Sequence, residues 1–265
     1  MHVIGSILEI LNAQMTTPSL YGWFHWLSLA LCVLTGIWLY RKRPVGQENQ
    51  IRRLLLVVSL MVIGLEIYKQ INYSFHYDGT AITFDYQWYA FPFQFCSTPM
   101  YISLLAAVIP NRTIHRSLCA YLATYSFFAG LCVMAYPGDV FTTAIGINIQ
   151  TMICHGSMMV LGVYLLMCGY VQADRRTILR ALPVFLTLVA CAVAMNEVAY
   201  RTGLLERETF NMFFVSPYCA PSLPVYSLVQ NVVPFPGSLA IYVLIFTLAG
   251  YLVMKIASFI HKKVQ

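Results

Sequence analysis

Phe91-Pro92-Phe93-Gln94-Phe95-Cys96-Ser97-Thr98-Pro99 opens a long apolar segment and sets one thiol between two prolines and among small hydroxyl residues. The segment runs apolar to about residue 110, the length of a helix that crosses a bilayer, which takes about 20 residues. A second polar island, Cys154-His155-Gly156-Ser157, opens another apolar segment about sixty residues later. Read together, the two islands predict that Cys96 and His155 meet inside a membrane bundle as a nucleophile–base pair, with the rest of the chain as their scaffold.

Composition supports the membrane reading. Of the 265 residues, 59% are hydrophobic and 10% charged, and the mean hydropathy is +0.70. A soluble domain carries about 25% charge, and so few charged groups cannot cover a soluble fold of this size. An all-α, polytopic membrane bundle forming one domain over 1–265 is expected. The net charge of +6 does not point to nucleic acid, because the basic residues sit in short clusters at the ends of apolar runs. Of the eight cysteines, Cys32, Cys119, Cys132, Cys168 and Cys191 fall inside apolar runs and read as small hydrophobes. No C-x-x-C occurs, so neither a zinc site nor a disulfide framework is indicated. The N-terminus lacks a basic n-region, and no cleaved signal peptide is expected.

Residues 1–20 hold a short apolar helix, expected to lie flat at the interface. Seven spans follow, at about 21–40, 53–72, 91–110, 117–136, 151–171, 179–200 and 236–257. The aromatic cluster Tyr21, Trp23, Phe24, Trp26 opens the first, at headgroup level. Seven spans put Arg41, Lys42, Arg43, Arg52, Arg53, Arg112, Arg116, Arg175, Arg176, Arg180, Lys255, Lys262 and Lys263 on one side, thirteen of sixteen Lys and Arg. Lys69, Arg201 and Arg207 remain on the other. By the positive-inside rule the N-terminus is outside and the C-terminus cytoplasmic, in the cell membrane. The long loops then face outward: 73–90 with Asp78 and Asp85, the nearly uncharged 137–150, and 201–235, where Pro217, Pro221, Pro224 and Pro234 forbid a continuous helix.

Polar groups inside hydrocarbon are costly and ask for a partner or a task. Cys96 and His155 are expected in the first turns of helices entering from outside, at similar depth in the outer third of the bilayer. A histidine can take the proton of a nearby cysteine and leave a thiolate that attacks acyl groups. Gly156 is expected to let a backbone or a lipid chain approach closely. Packing for the cysteine and interhelical bonding for the histidine are the alternatives. Glu66, Lys69 and Gln70 share a helix face at i, i+3 and i+4. They read as an internal ion pair or as a charge that orients a lipid headgroup. Gln94, Ser97 and Thr98 are candidate hydrogen-bond donors to an oxyanion, or local caps. Asn196, Glu197 and Asn211 cap helices or line the outer mouth.

These features resemble a known family. His25 and its aromatic neighbours open the first span, and Glu66-Ile67-Tyr68-Lys69-Gln70 closes the second. Pro92-Phe93-Gln94-Phe95-Cys96, then His155-Gly156, then Asn211-Met212-Phe213-Phe214 follow in order. Across nearly its whole length the chain resembles the bacterial YwaF family of integral membrane proteins, similar to eukaryotic transmembrane protein 164. The resemblance implies an acyltransferase that moves a fatty acyl chain from a phospholipid to a lysophospholipid through an acyl-cysteine. Cys96 then matches the acylated cysteine and His155 the catalytic histidine. Glu66, Lys69 and Asn211 are supporting or headgroup-facing positions. Many bacterial relatives carry His where this chain has Gln94, so no proton-transfer role is carried to that position. Neither a metal nor another cofactor is implied. Related lipid hydrolases use threonine and histidine, so hydrolysis by the same pair is a close alternative.

A seven-helix sensor or receptor is the rival from another class. Its retinal-binding form is disfavoured because 236–254 holds no lysine. A haem carrier is weak because only His25 and His155 fall within the expected spans, and a transporter because no repeated halves are evident.

Overall fold

Apolar runs of this length become helices because their peptide groups, out of reach of water, must bond to one another. The computed structural model describes residues 2–43, 45–203, 209–220 and 223–264. Of the positions named above, Arg207 and Pro221 lie outside the described residues, as do the side chains of Pro224, Lys262 and Lys263.

The chain opens with α1 (His2–Leu11), α2 (Trp23–Lys42) and α3 (Glu48–Ser74). A small antiparallel hairpin follows, β1 (Phe75–Tyr77) paired with β2 (Ile82–Phe84). Next come α4 (Thr98–Val108), α5 (Arg112–Tyr121), a π-helical turn at Leu122–Ser126, α6 (Phe127–Ala135) and α7 (Ile145–Met167). The chain ends with α8 (Arg175–Thr202), α9 (Pro224–Gln230) and α10 (Gly237–Val264). Side-chain caps set two of the starts. Asn111 accepts from the Thr113 and Ile114 N–H groups at α5, and Asp174 from the Thr177 N–H at α8.

Among the described residues, six helices are long and apolar enough to cross a membrane: α2, α3, the continuous run Arg112–Ala135, α7, α8 and α10. The chain is an integral membrane protein of helical type. The expected span at 91–110 takes a different form. Its helix is α4, 11 residues and about 16 Å long, against a hydrocarbon core of about 30 Å. Residues 91–97 ahead of it are turns, in keeping with prolines at 92 and 99 that withhold the N–H a helix interior needs. Arg52, near the start of α3, donates to the carbonyls of Ala106, Ala107 and Ile109. The far end of α4 is thereby fixed beside the arginine-rich start of α3.

Burial separates the helices into a centre and a ring. The apolar stretches of Arg112–Ala135 and α7 are 72% and 67% buried, whereas those of α2, α3, α8 and α10 are between 17% and 22% buried. The outer helices present continuous apolar stripes, such as Leu244, Leu248, Leu252 and Ile256 on α10, which fit a lipid solvent. The centre is aromatic. Tyr125 stacks on Phe185 at 4.3 Å, and Phe95 packs on Phe213 and Phe246, each at 5.2 Å.

Candidate functional site

The stretch 91–99 is a chain of tight turns that ends in a helix. Phe93 N–H bonds Phe91 O, and the Ser97 and Thr98 N–H groups both bond Gln94 O. Pro99, early in α4, needs no N–H partner there. Cys96 stands just ahead of the positive end of α4, partly buried. The loop 210–216 supports it from behind. The Asn196 amide on α8 holds both backbone groups of Met212, with N–H to Oδ1 at 2.8 Å and Nδ2 to O at 3.1 Å. Gln94 Nε2 donates to Asn211 O, and Asn211 Oδ1 accepts from Ser216 N–H. The fully buried Phe213, at φ 59°, presses its ring against Phe93 and Phe95, the residues flanking Gln94 and Cys96. A left-handed phenylalanine is costly and persists only where its surroundings hold it.

His155 lies elsewhere along its helix than expected. Helix α7 begins at Ile145, not near 151, because Asn148 makes a local bracket with Thr142 in which its Oδ1 accepts from N–H and its Nδ2 donates to O. His155 is therefore the eleventh of 23 residues, at the middle of the helix and not in its first turn. Cys96 is level with Val58, Ser59 and Val62, around the midpoint of α3. Both groups sit near mid-depth of these helices and not in an outer third. His155 is buried, and its Nδ1 lies 2.8 Å from Thr151 O. A carbonyl only accepts, so Nδ1 carries the proton and Nε2 keeps a lone pair, with no hydrogen-bond partner among the described residues. His25 differs: Nδ1 accepts from Tyr21 N–H and Nε2 donates to Met134 O, so both nitrogens are spent tying α2 to α6.

Cys96 lines a small cavity of about 10 Å³, the threshold for one water. Ser59, Ser103, Ser126, Cys154 and Ser157 share its wall. Cys154 Sγ donates to Cys96 O at 3.7 Å, so the turn of α7 that carries His155 touches the Cys96 loop. His155 itself is not on the cavity wall. Residues 154, 157, 158 and 161 form the face of α7 that is, and His155 is turned about 100° away from Cys154. Lys69 stands within Coulombic range of Cys96, Cys154 and His155. Glu66 pairs with Lys69 at 2.8 Å and accepts from Gln70 Nε2 at 2.8 Å, as the i, i+3, i+4 spacing predicts.

The predicted oxyanion donors are turned to other work. Gln94 Nε2 is bonded to Tyr89 O and Asn211 O, Thr98 Oγ1 to Phe95 O, and Ser97 is buried off the cavity wall. The hydroxyl left over is that of Ser126, buried, on the cavity wall and without a partner among the described residues. The π turn at 122–126 carries it, a kind of irregularity often found at functional sites. Close helix approach occurs at Gly130, where a Cβ would come within 2.7 Å of His155 O and 3.0 Å of Met159 N. At Gly156 a Cβ would meet Cys32 Sγ at an ordinary 3.5 Å.

The sequence reading missed a cysteine–histidine contact elsewhere in the bundle. On α5, His115 Nε2 lies 3.6 Å from Cys119 Sγ and 2.6 Å from Tyr170 Oη, and Nδ1 lies 2.6 Å from Ala106 O. His115 thus falls within the helix run Arg112–Ala135, a third span histidine beside His25 and His155. Both partners are fully buried with every His115 nitrogen engaged, which makes this a structural brace. The i, i+4 spacing of His115 and Cys119 was the available signal. Among the described residues no three His, Cys, Asp or Glu side chains gather to hold a metal ion.

A family model described as the TMEM164 family matches residues 20–256, and the chain belongs to that family. No curated protein and no solved structure matches it.

Proposed function

We propose that this member of the TMEM164 family is a membrane-embedded acyltransferase that moves a fatty acyl chain between phospholipid and lysophospholipid through an acyl-Cys96 intermediate. The observation that carries the reading is the Cys96 thiol on a hydroxyl-lined cavity at mid-depth, against the turn of α7 that carries His155 with its Nε2 lone pair uncommitted. Catalytic hydrogen bonds often form only when substrate is bound, and His155 turns toward Cys96 at that stage.

His155 Nε2 takes the proton of the Cys96 thiol. The thiolate attacks the ester carbonyl carbon of a phospholipid, and a C–S bond forms. Ser126 Oγ–H donates to the oxyanion, with the positive end of α4 beside it. The ester C–O bond breaks, and the leaving lysophospholipid oxygen takes the proton from His155. His155 then removes the proton of an acceptor lipid hydroxyl. That oxygen attacks the thioester, the C–S bond breaks, and the thiol is restored. Gln94, Ser97, Thr98 and Asn211 hold the loop, and Glu66 and Lys69 set the charge near the site. Burial protects the thioester from water.

The topology that goes with this reading has seven crossing segments in the cell membrane, N-terminus outside and C-terminus cytoplasmic. Residues 91–97 and α4 together make the third crossing. Hydrolysis by the same pair is the second reading, favoured by a cavity at the size of one water.

The test uses purified protein in nanodiscs with a phospholipid radiolabelled in its acyl chain and an unlabelled lysophospholipid. Label moves to the lysophospholipid with wild type and not with Cys96→Ala or His155→Gln. Label released as free fatty acid would select hydrolysis. Label left in the donor by all three proteins would overturn the enzyme reading.

A further inference from the structure

The Cys96 cavity, at about 10 Å³, holds no more than a water, so a lipid chain reaches Cys96 only if a neighbouring side chain moves. The route is visible beside it. A groove of about 460 Å³ runs between the second half of α3 and the start of α4, floored by Ile63, Ile67 and Ile71 and faced by Met100 and Leu104. Met100 lines both the groove and the cavity, and among the described residues it alone belongs to both. The groove opens on the outer surface of the bundle, where Ile67 is 56% exposed. Its wall is apolar apart from a few groups. The Glu66 carboxylate, paired with Lys69, stands along α3. At the hairpin end stands Ser74, 2% exposed, its hydroxyl without a partner among the described residues. A buried hydroxyl left unbonded costs free energy unless a ligand completes it.

We propose that the α3–α4 groove binds one acyl chain of a membrane lipid, with the lipid's ester or headgroup oxygens meeting Ser74 and the Glu66–Lys69 pair, and that the Met100 side chain is the gate between this groove and Cys96. An apolar trough edged along α3 by Glu66, Gln70 and Ser74 matches an amphipathic lipid, apolar in its chain and polar at its esters and headgroup. The surrounding solvent is itself lipid, so the chain enters sideways with little desolvation. Methionine suits the gate because an unbranched thioether changes shape at small cost. The gate's catalytic consequence rests on the acyl-Cys96 reading; the binding site does not.

The experiment uses the full chain in nanodiscs containing a phosphatidylcholine with a diazirine in its acyl chain. After illumination, crosslinked peptides are mapped by mass spectrometry in wild type, Cys96→Ala and Ile67→Trp/Ile71→Trp. Ile67 and Ile71 both line the groove and neither belongs to the buried core, so the larger rings occupy the groove's volume. Crosslinks concentrated on 63–75 and 100–104, equal in Cys96→Ala and reduced about tenfold in the tryptophan variant, are expected. Crosslinks spread evenly over every lipid-facing helix, including 244–256, would overturn the site. In parallel, Met100→Ala raises the rate at which N-ethylmaleimide alkylates Cys96 about tenfold, while Met100→Leu leaves it near wild type. An unchanged rate in Met100→Ala would overturn the gate. Groove crosslinks in a protein that forms no acyl-cysteine would retain the site and remove the acyltransferase reading.

Discussion

Asn196→Ala should loosen the Cys96 loop from a distance. The Asn196 side chain is 3% exposed and holds both the N–H and the C=O of Met212, itself fully buried. Alanine leaves both groups unbonded. An unsatisfied buried polar group costs about 1–3 kcal/mol, while side-chain hydrogen bonds between membrane helices have measured about 0.6 and at most about 1.7 kcal/mol. Two groups together give about 2–4 kcal/mol. At about 2–4 °C per kcal/mol for a chain of this size, the melting temperature in detergent falls by about 4–16 °C. The loss is local first, because Met212 adjoins the left-handed Phe213 whose ring backs Phe93 and Phe95. Cys96 alkylation, followed on its own peptide by mass spectrometry, therefore rises at least about tenfold, the factor that 1.4 kcal/mol of lost closure gives. A melting temperature within about 1 °C of wild type, with unchanged Cys96 labelling, would refute the reasoning that this amide holds the site loop.

Three shorter predictions accompany it. Phe213→Gly should be more stable than Phe213→Ala by about 1 kcal/mol, read from their melting curves, because both lose the ring but only glycine takes φ 59° without strain; the reverse order would mean the backbone is unstrained. Gly130→Ala forces α6 away from His155 O and Met159 N and should cost about 1–3 kcal/mol, whereas Gly156→Ala, with room for its methyl, should cost less than 1 kcal/mol; the two melting curves decide this. In the hairpin turn, Asp78 Oδ1 accepts from Ala81 N–H and from the Thr80 hydroxyl and N–H. The Ala81 bond, followed by those of Thr80, pulls its carboxyl down to about 2. A carboxylate depressed in the folded state contributes stability above its unfolded value near 4 and loses it as pH falls through about 2. Amide exchange at Thr80 and Ala81 should accordingly lose protection, relative to Asp78→Asn, on acidification from pH 5 toward 2, and parallel curves for the two proteins would contradict the assignment.

Much of the architecture was legible because hydrocarbon leaves helices little choice. Six of the expected spans correspond to helices with ends displaced by up to seven residues. The segment at 91–110 was equally apolar, yet Pro92, Pro99 and the turn-forming polar residues between them confine its helix to 98–108. Apolarity reports the solvent and not the backbone path, so a half-length helix shielded by α3 reads like a full one. The same error misplaced the depth of Cys96 and His155: the start of α7 is set by the Asn148–Thr142 bracket, a local hydrogen-bond pattern that hydropathy does not contain. The two polar islands predicted that Cys96 and His155 meet; the structure brings Cys154 Sγ to Cys96 O, while His155 stands off the cavity wall. Ser126 was not legible, since it faces the cavity through a π turn that no residue in 122–126 announces. The Glu66–Lys69–Gln70 cluster was legible because i+3 and i+4 neighbours must meet on any helix.

The most direct measurement is the intact mass of the protein purified in mild detergent with its native lipids, wild type against Cys96→Ala, before and after hydroxylamine. Acyl transfer through Cys96 predicts an added mass of one fatty acyl chain on wild type, removed by hydroxylamine and absent from Cys96→Ala. An unmodified wild type that also leaves radiolabelled phospholipid unchanged would contradict the account and return Cys96 to a packing role.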